Sequence, residues 1–215
     1  MLVRDLGLLP YRDAWRVQEE VHAQVLAGGR EQLLLVEHPP VITLGRRPGA
    51  RRHLVADGQA LAAMGVEVVQ SDRGGDITFH GPGQVVAYPI VRLIAHRLSV
   101  GSYVQRLLDA VVGTLEDLGV AAQKDRAAIG VWVERDGRPH KICALGVRIK
   151  RGVSLHGVAL NVTTDLRFFD LIVPCGLKER GVTSLGQVMG QRCPTLDRVK
   201  EALAARMIRA LERTS

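Results

Sequence analysis

Residues 131–162 read VWVERDGRPHKICALGVRIKRGVSLHGVALNV, and the spacing of apolar runs and turns in this stretch decides the fold class. Val131-Trp132-Val133 is a β-branched and aromatic run, Asp136-Gly137 follows, and the next run is Lys141 to Ile149. Asp-Gly supplies the positive φ that a two-residue hairpin turn demands, so the two runs are expected to pair antiparallel. A further strand, Leu155 to Val162, follows the Gly152 turn. Parallel neighbours would need a crossover of a dozen or more residues between them, and there is no room for one here.

The same reading extends upstream. The apolar run Gln32 to Val36 reads as a buried strand, and His38-Pro39-Pro40 breaks it before a second strand, Val41 to Leu44. Further strands are expected at Val66 to Gln70, Ile77 to His80 and Gln84 to Val91. Ala14, Val17, Val21 and Val25 form one stripe of a helix from Tyr11 to Leu26 that ends at Gly28-Gly29. Ser102 is the expected cap of a second helix carrying Val104, Leu108, Val111, Leu115 and Leu118. Thr195 caps a last helix with Leu196, Val199, Leu203, Met207 and Leu211 on its buried face. Strands outnumber helices and regular βαβαβ alternation is missing, so the fold class is α+β with a largely antiparallel or mixed sheet. No repeat or long Pro/Ser linker divides residues 1–215, which read as one continuous catalytic domain.

A chain of 215 residues, 47% hydrophobic, buries a substantial core without staples. It has no apolar run long enough to span a bilayer, and Met1-Leu2-Val3-Arg4-Asp5 lacks the pattern of a signal peptide; a cytoplasmic protein that does not engage a membrane is expected. The net charge of +7 steers acidic partners toward the surface. Nucleic acid is not the expected partner, because the few aromatics are scattered and no extended Lys/Arg run exists. Of the 29 basic residues only Lys124, Lys141, Lys150, Lys178 and Lys200 are lysines, the only cations here able to give up a proton.

Chemistry concentrates in three places. From Arg73 to Tyr88 the glycines Gly74, Gly75, Gly81 and Gly83 let backbone amides approach a ligand, with Arg73 and His80 beside them. Neither a dinucleotide fingerprint nor a phosphate loop is present. In the strand that begins at Lys141, simple alternation puts the lysine on the face of Cys143, Leu145, Val147 and Ile149. Partial burial there would favour the neutral amine and make it a useful acid or base. Cys175 lies between Pro174 and Gly176, a turn that presents a thiol, and a cationic neighbour such as Lys141 would raise its thiolate fraction. Cys143 and Cys193 read as small buried hydrophobes, no disulfide framework is indicated, and the histidines show no metal-ligand pattern.

Together these stretches resemble the lipoyl(octanoyl) transferases, the octanoyl-[acyl carrier protein]:protein N-octanoyltransferases. The family signature is met by Arg73, Gly74, Gly75, Thr78, Phe79, His80, Gly83, Gln84 and Tyr88. Family-like segments also occur at Glu37 to Gly45, at Lys141-Ile142 with Gly146, at His156 to Val162, and at Pro174-Cys175-Gly176 with Thr183-Ser184-Leu185. The resemblance implies a biotin/lipoate protein ligase-like catalytic domain, core about 28–203, with a larger mixed sheet, a smaller sheet and flanking helices. It implies Cys175 as nucleophile and Lys141 as its partner. It implies substrate binding by Arg73, Gly74, Gly75, Asp76, Ile77, Thr78, Phe79 and His80, by Ala144, Leu145 and Gly146, and by Gly157, Val158 and Ala159. The implied donor is octanoyl-acyl carrier protein. The implied acceptors are lipoyl domains of 2-oxoacid dehydrogenase complexes and the glycine cleavage H protein, with no cofactor and no metal. Two other readings of the residues stay open: an ATP-dependent lipoate-protein ligase, and a thiol hydrolase pairing Cys175 with His80 or His156.

Overall fold

The computed structural model describes residues 1–125, 128–173 and 180–212. Strand β1 (Leu2–Leu8) leads into helix α1 (Tyr11–Leu26), then β2 (Gln32–Glu37) and β3 (Val41–Leu44). A short helix α2 (Gly58–Ala63) precedes β4 (Glu67–Gln70), β5 (Ile77–His80) and β6 (Gln84–Ile90). After α3 (Val100–Asp117) come β7 (Gln123–Lys124), β8 (Val131–Arg135), β9 (Arg138–Lys150) and β10 (Val153–Asn161). The chain closes with β11 (Gly181–Val182), α4 (Leu185–Met189) and α5 (Leu196–Glu212).

The fold is α+β, with a larger mixed sheet, a smaller sheet and helices on both sides. The larger sheet runs β1-β2-β6-β10-β9-β8-β7, with β11 pairing β9; the smaller runs β4-β3-β5. The β8–β9 and β9–β10 connections are both two-residue hairpins with φ above zero at each central residue: Asp136 (+53°) with Gly137 (+70°), and Arg151 (+53°) with Gly152 (+80°). That backbone twist matches the twist of the strands and explains why so little sequence reverses the chain.

The apolar runs are continuous because the large sheet is covered on both faces. Leu33 and Leu35 of β2 join Leu107, Leu108 and Val111 of α3 and Leu203 and Met207 of α5 in one core. Leu34 and Val36 point the other way, toward Ala14, Val21 and Val25 of α1. A separate cluster of Ile42, Leu44, Ile77 and Phe79 with Phe169 and Ile172 holds the small sheet.

The helix α1 and strand β5 have the expected bounds, but three expectations need correction. The cap of α3 is Ser99, whose Oγ accepts from the Ser102 amide at 3.0 Å; Ser102 lies inside the first turn. Gly101 masked that turn, because glycine carries no apolar signal and a poor helix propensity. Strand β1 was not expected, since nearly all of its residues are exposed and it exists through parallel pairing with β2 rather than through a pattern of its own. Lys141 is also on the other face from the one expected. Val131 pairs with Cys143 but Trp132 pairs with Lys141, so β9 carries one extra residue, a bulge at Ile142. The alternation skips there, and Cys143 keeps to the core of Val131 and Val133 while Lys141 shares the face of Trp132.

Gly157 on β10 lies so close to β6 that a Cβ would stand 2.1 Å from the Ala87 carbonyl oxygen. Gly157→Ala is therefore expected to lower stability by about 1–3 kcal/mol in urea unfolding, as overpacking does. An unchanged midpoint would mean that these two strands are free to separate.

Candidate active site

A cavity of about 490 Å³ opens where the two sheets meet, in the size range of small-molecule sites. Its walls come from the Gly-rich turn before β5, from the middle of β9 and from the middle of β10. The turn and β9 touch backbone to backbone. Gly74 donates its N–H to the Val147 carbonyl at 3.0 Å, a Cβ on Gly74 would lie 2.8 Å from that oxygen, and one on Gly146 would lie 2.7 Å from the Gly74 oxygen. Glycine is needed at both positions because any side chain would force the sheets apart.

A chain of buried hydrogen bonds runs along the seam. The Arg73 guanidinium donates from Nη2 to the Thr43 carbonyl at 2.6 Å and from Nε to Thr43 Oγ1 at 3.0 Å. Thr43 then donates its hydroxyl to His80 Nε2 at 3.3 Å, and His80 Nδ1 donates to Gln84 Oε1 at 2.7 Å. Gln84 Nε2 donates to Asn161 Oδ1 at 2.8 Å, and Asn161 Nδ2 donates to the Thr183 carbonyl at 3.0 Å. Thr183 in turn donates its N–H to the Lys141 carbonyl at 2.9 Å. Each acceptor along the line is taken by a defined donor, so the network fixes rotamers as well as satisfying buried polarity.

The site's histidines are held neutral. Burial pushes His80 well below 6.5, with the charges of His38 and Arg73 adding to the effect. His38 is pushed down to about 4 by burial; it donates Nδ1–H to the Leu9 carbonyl at 2.7 Å and accepts the Tyr88 hydroxyl at Nε2, 2.8 Å away. Burial likewise raises the Tyr88 phenol well above 10, so it stays a donor. His156 sits at φ +58° within β10, a conformation unusual for a non-glycine residue. It is held there by its N–H to Gln18 Oε1 at 2.8 Å and its Nε2 to Asp72 Oδ1 at 2.6 Å. Asp72 is also ion-paired to Arg148.

Lys141 borders the cavity with Ala144 and Gly146. Its Nζ donates to the Ile129 carbonyl at 3.2 Å and lies 4.8 Å from the centre of the Trp132 ring, against which the Arg180 guanidinium also rests at 5.1 Å. Cys175 lies outside the described residues. The other two cysteines are visible: Cys143 is fully buried, its thiol pushed up to about 12 by desolvation, and the half-buried Cys193 thiol is raised for the same reason. Neither is poised as a nucleophile, because a reactive cysteine needs an accessible thiolate.

Arg73, Gly74, Gly75, Asp76, Ile77, Thr78, His80, Ala144, Leu145, Gly146, Gly157, Val158 and Ala159 all border the cavity. Phe79 lies behind the wall, its ring stacked on Phe168 at 4.8 Å between centres. Sequence reasoning missed Tyr11, Arg47 and Asn161 as cavity residues. Tyr11 begins α1 and reaches Ser71 Oγ at 2.7 Å, a contact 60 residues away that no local pattern announces. Asn161 could have been suspected as an amide that ends the apolar run Val158-Ala159-Leu160. Among the described residues no group of three or more His, Cys, Asp or Glu is arranged to hold a metal ion, and no helix is long and apolar enough to cross a membrane.

The fold, two sheets meeting over a Gly-lined cavity, defines a class. The chain belongs to the lipoyl protein ligase A/B catalytic domain family, which it matches over residues 10–208. Solved structures agree in fold: protein Ta0514 of T. acidophilum with bound lipoic acid superposes with a TM-score of 0.77 at 20% identity, covering 98% of this chain and 86% of that one. A lipoate-protein ligase A bound with ATP gives 0.74 at 20% identity, with the same two coverages, 98% and 86%. Relatives at 44–47% identity include proteins named octanoyltransferase. The octanoyltransferase of Roseiflexus sp. (strain RS-1) is 47% identical over 89% of this chain and 79% of its own length. That of Mycobacterium tuberculosis (strain ATCC 25177 / H37Ra) is 44% identical over 98% of this chain and 86% of its own. The chain stands with the octanoyltransferases of the family and is an enzyme of the acyltransferase class.

The neutral histidines make stability depend on pH. Below pH 6.5 the unfolded chain protonates His38 and His80 while the folded protein does not, so stability present above 6.5 is lost as pH falls toward 4. Urea unfolding between pH 7 and pH 5 is expected to show a loss approaching 1.4 kcal/mol per pH unit for each of the two. A flat profile would mean that both are charged in the folded state, and half the slope that one of them is.

Proposed function

We propose that this enzyme, at work in the cytoplasm, takes the octanoyl group of octanoyl-acyl carrier protein onto Cys175 and passes it to a lysine ε-amine of a lipoyl domain. The acceptors are the lipoyl domains of 2-oxoacid dehydrogenase complexes and the glycine cleavage H protein, and the whole chain acts as one catalytic unit. The observation that carries the reading is the join of a Gly-lined cavity to Lys141 on its border, in a chain whose relatives at 44–47% identity are named octanoyltransferases.

The chemistry balances without a cofactor. The Cys175 thiolate attacks the thioester carbonyl, the C–S bond to the carrier breaks, and the departing thiolate takes a proton from the Lys141 ammonium. The acceptor amine then attacks the new thioester and loses a proton to the Lys141 amine, and the Cys175 thiolate leaves as the amide forms. Thioester to amide is downhill, so no ATP is consumed. Gly74, Gly75 and Gly146 leave backbone room for the acyl chain, and Val86, Leu145 and Val158 give its methylenes an apolar wall. The hydrolase reading is weakened because His80 has both ring nitrogens engaged, by Thr43 and by Gln84.

Intact-mass spectrometry tests the proposal. The protein mixed with octanoyl-acyl carrier protein is expected to gain one hydroxylamine-labile octanoyl group, to gain none as Cys175→Ser, and to lose it to an added lipoyl domain without ATP. Modification of the lipoyl domain only from free octanoate plus ATP would replace this reading with the ligase one.

Chain-length preference follows from burial at about 0.8 kcal/mol per methylene. Shortening the donor from octanoyl to hexanoyl is expected to lower kcat/KM by roughly 15-fold. Equal rates for the two donors would show that the acyl chain lies outside the cavity.

A further inference from the structure

Residues 45–53 read GRRPGARRH, an arginine-rich loop that the proposed chemistry leaves unused. Arg46, Arg47, Arg51 and Arg52 are all exposed. Many exposed arginines elsewhere are neutralised, as Arg12 is by Glu67, Arg167 by Asp165 and Arg206 by Asp117. Arg46, Arg51 and Arg52 form no ion pair with a carboxylate among the described residues; of the four, only Arg47 faces one, Asp76 Oδ2 at 3.6 Å.

The loop is fastened at both ends to the site. Gly45, Arg46 and Arg47 donate their N–H groups to the carbonyls of Asp76, Arg73 and Gly75, each at 3.0 Å, so the loop continues the Gly-rich cavity wall. The buried Asp76 carboxylate also accepts from His53 Nδ1 at 2.9 Å, and its Oδ2 has no hydrogen-bond partner. On the far side Val55 donates to the Leu171 carbonyl at 2.9 Å and Val173 donates to the His53 carbonyl at 2.8 Å. Val173 stands two residues before Cys175 in the chain. Unneutralised guanidinium groups are therefore bonded, through short rigid backbone, to the cavity wall and to the segment that leads to the thiol.

We infer that Arg46, Arg51 and Arg52 form the docking surface for the acyl donor, an acidic carrier protein whose thioester hangs from a phosphate-bearing arm. The inference rests on the transferase reading above. Both protein substrates of that reaction offer acidic surfaces, but only the donor brings a phosphodiester to the cavity mouth while its acyl chain lies inside. Guanidinium forks match phosphate and carboxylate oxygens two at a time, which a lysine ammonium does not. Exposed charges of this kind speed encounter and set orientation, and their effect is screened by salt.

The test is a protein carrying Arg46→Glu, Arg51→Glu and Arg52→Glu together, three exposed side chains whose change should leave the urea midpoint in place. Formation of the Cys175 adduct is followed from two donors: octanoyl-acyl carrier protein, and octanoyl-pantetheine, which has neither phosphate nor protein. The expected result is a fall in kcat/KM of about tenfold or more with the carrier, with a flattened salt dependence. Octanoyl-pantetheine should react as with the unsubstituted enzyme, and the KM for the lipoyl domain should not move. The inference is overturned by an unchanged rate from the carrier, by an equal loss with octanoyl-pantetheine, or by a loss confined to the lipoyl-domain KM, which would make this the acceptor's surface. If the unsubstituted enzyme formed no adduct from either donor, the transferase reading itself would fail and the docking role with it.

Discussion

Gly74 donating to the Val147 carbonyl at 3.0 Å holds the two sheets together at a distance that only backbone can occupy. The rest of the site depends on that contact. It brings the Gly-rich turn against β9, sets the cavity between them, and carries Arg73 inward, where the residue is 7% exposed. Burying a guanidinium is costly unless it is paired, and here Thr43 offers it two acceptors and the Gly74 carbonyl another. The residues that make the cavity possible are therefore the residues that join the sheets, which is why the signature stretch from Arg73 to Gln84 is dense in both glycine and polar side chains.

The hydrogen-bond chain from Arg73 to Thr183 extends this constraint across the molecule. It crosses from β3 through β5, β6 and β10 to the residue that follows β11, and ends on the backbone of Lys141. A neutral His80 is needed at its centre, since a protonated ring could not accept from Thr43. Burial supplies that neutrality. The same low dielectric makes every link more directional and any unpaired member costly, so the network behaves as a frame and not as a set of proton donors waiting for substrate.

How much of this was legible varied with the range of the interaction concerned. The helix α1 and the strands β2, β3, β5 and β6 could be read because their periodicity is local and their neighbours merely complete it. The Asp136-Gly137 hairpin was equally plain, being a two-residue signal. Strand β1 and helix α2 were not, because β1 leans on β2 for its hydrogen bonds and α2 is held by an Asp57 cap and one buried leucine, Leu61. The Gly-rich wall could be named from composition, yet the reason for Gly146, an approach to Gly74, is a contact 72 positions away that composition cannot express. Tyr11 and Arg47 stand in the site for the same kind of reason. Cys175, by contrast, was singled out by its Pro-Cys-Gly context together with the family resemblance, and it lies outside the described residues.

The bulge at Ile142 shows how a single residue decides between two chemistries for one lysine. In a regular β9, Lys141 would fall in phase with Cys143, Leu145 and Val147 and so share the face covered by α3 and α5, where a charged amine has no acceptor and would be driven to neutrality or to the strand end. The extra residue shifts it out of that phase, onto the Trp132 side, where the ring face and the Ile129 carbonyl meet an ammonium on favourable terms. Bulges recur next to active sites because they re-aim one side chain while leaving the flanking ladder intact. Here the bulge lies in the β8–β9 ladder, while on the other edge of β9 the pairing with β10 is regular from Cys143 onward, with Cys143 opposite Leu160 and Ala144 opposite Ala159. The cavity wall is thus undisturbed by the device that turns the lysine toward it, and the alternation that made β9 recognisable as a strand is also what concealed the face on which Lys141 lies.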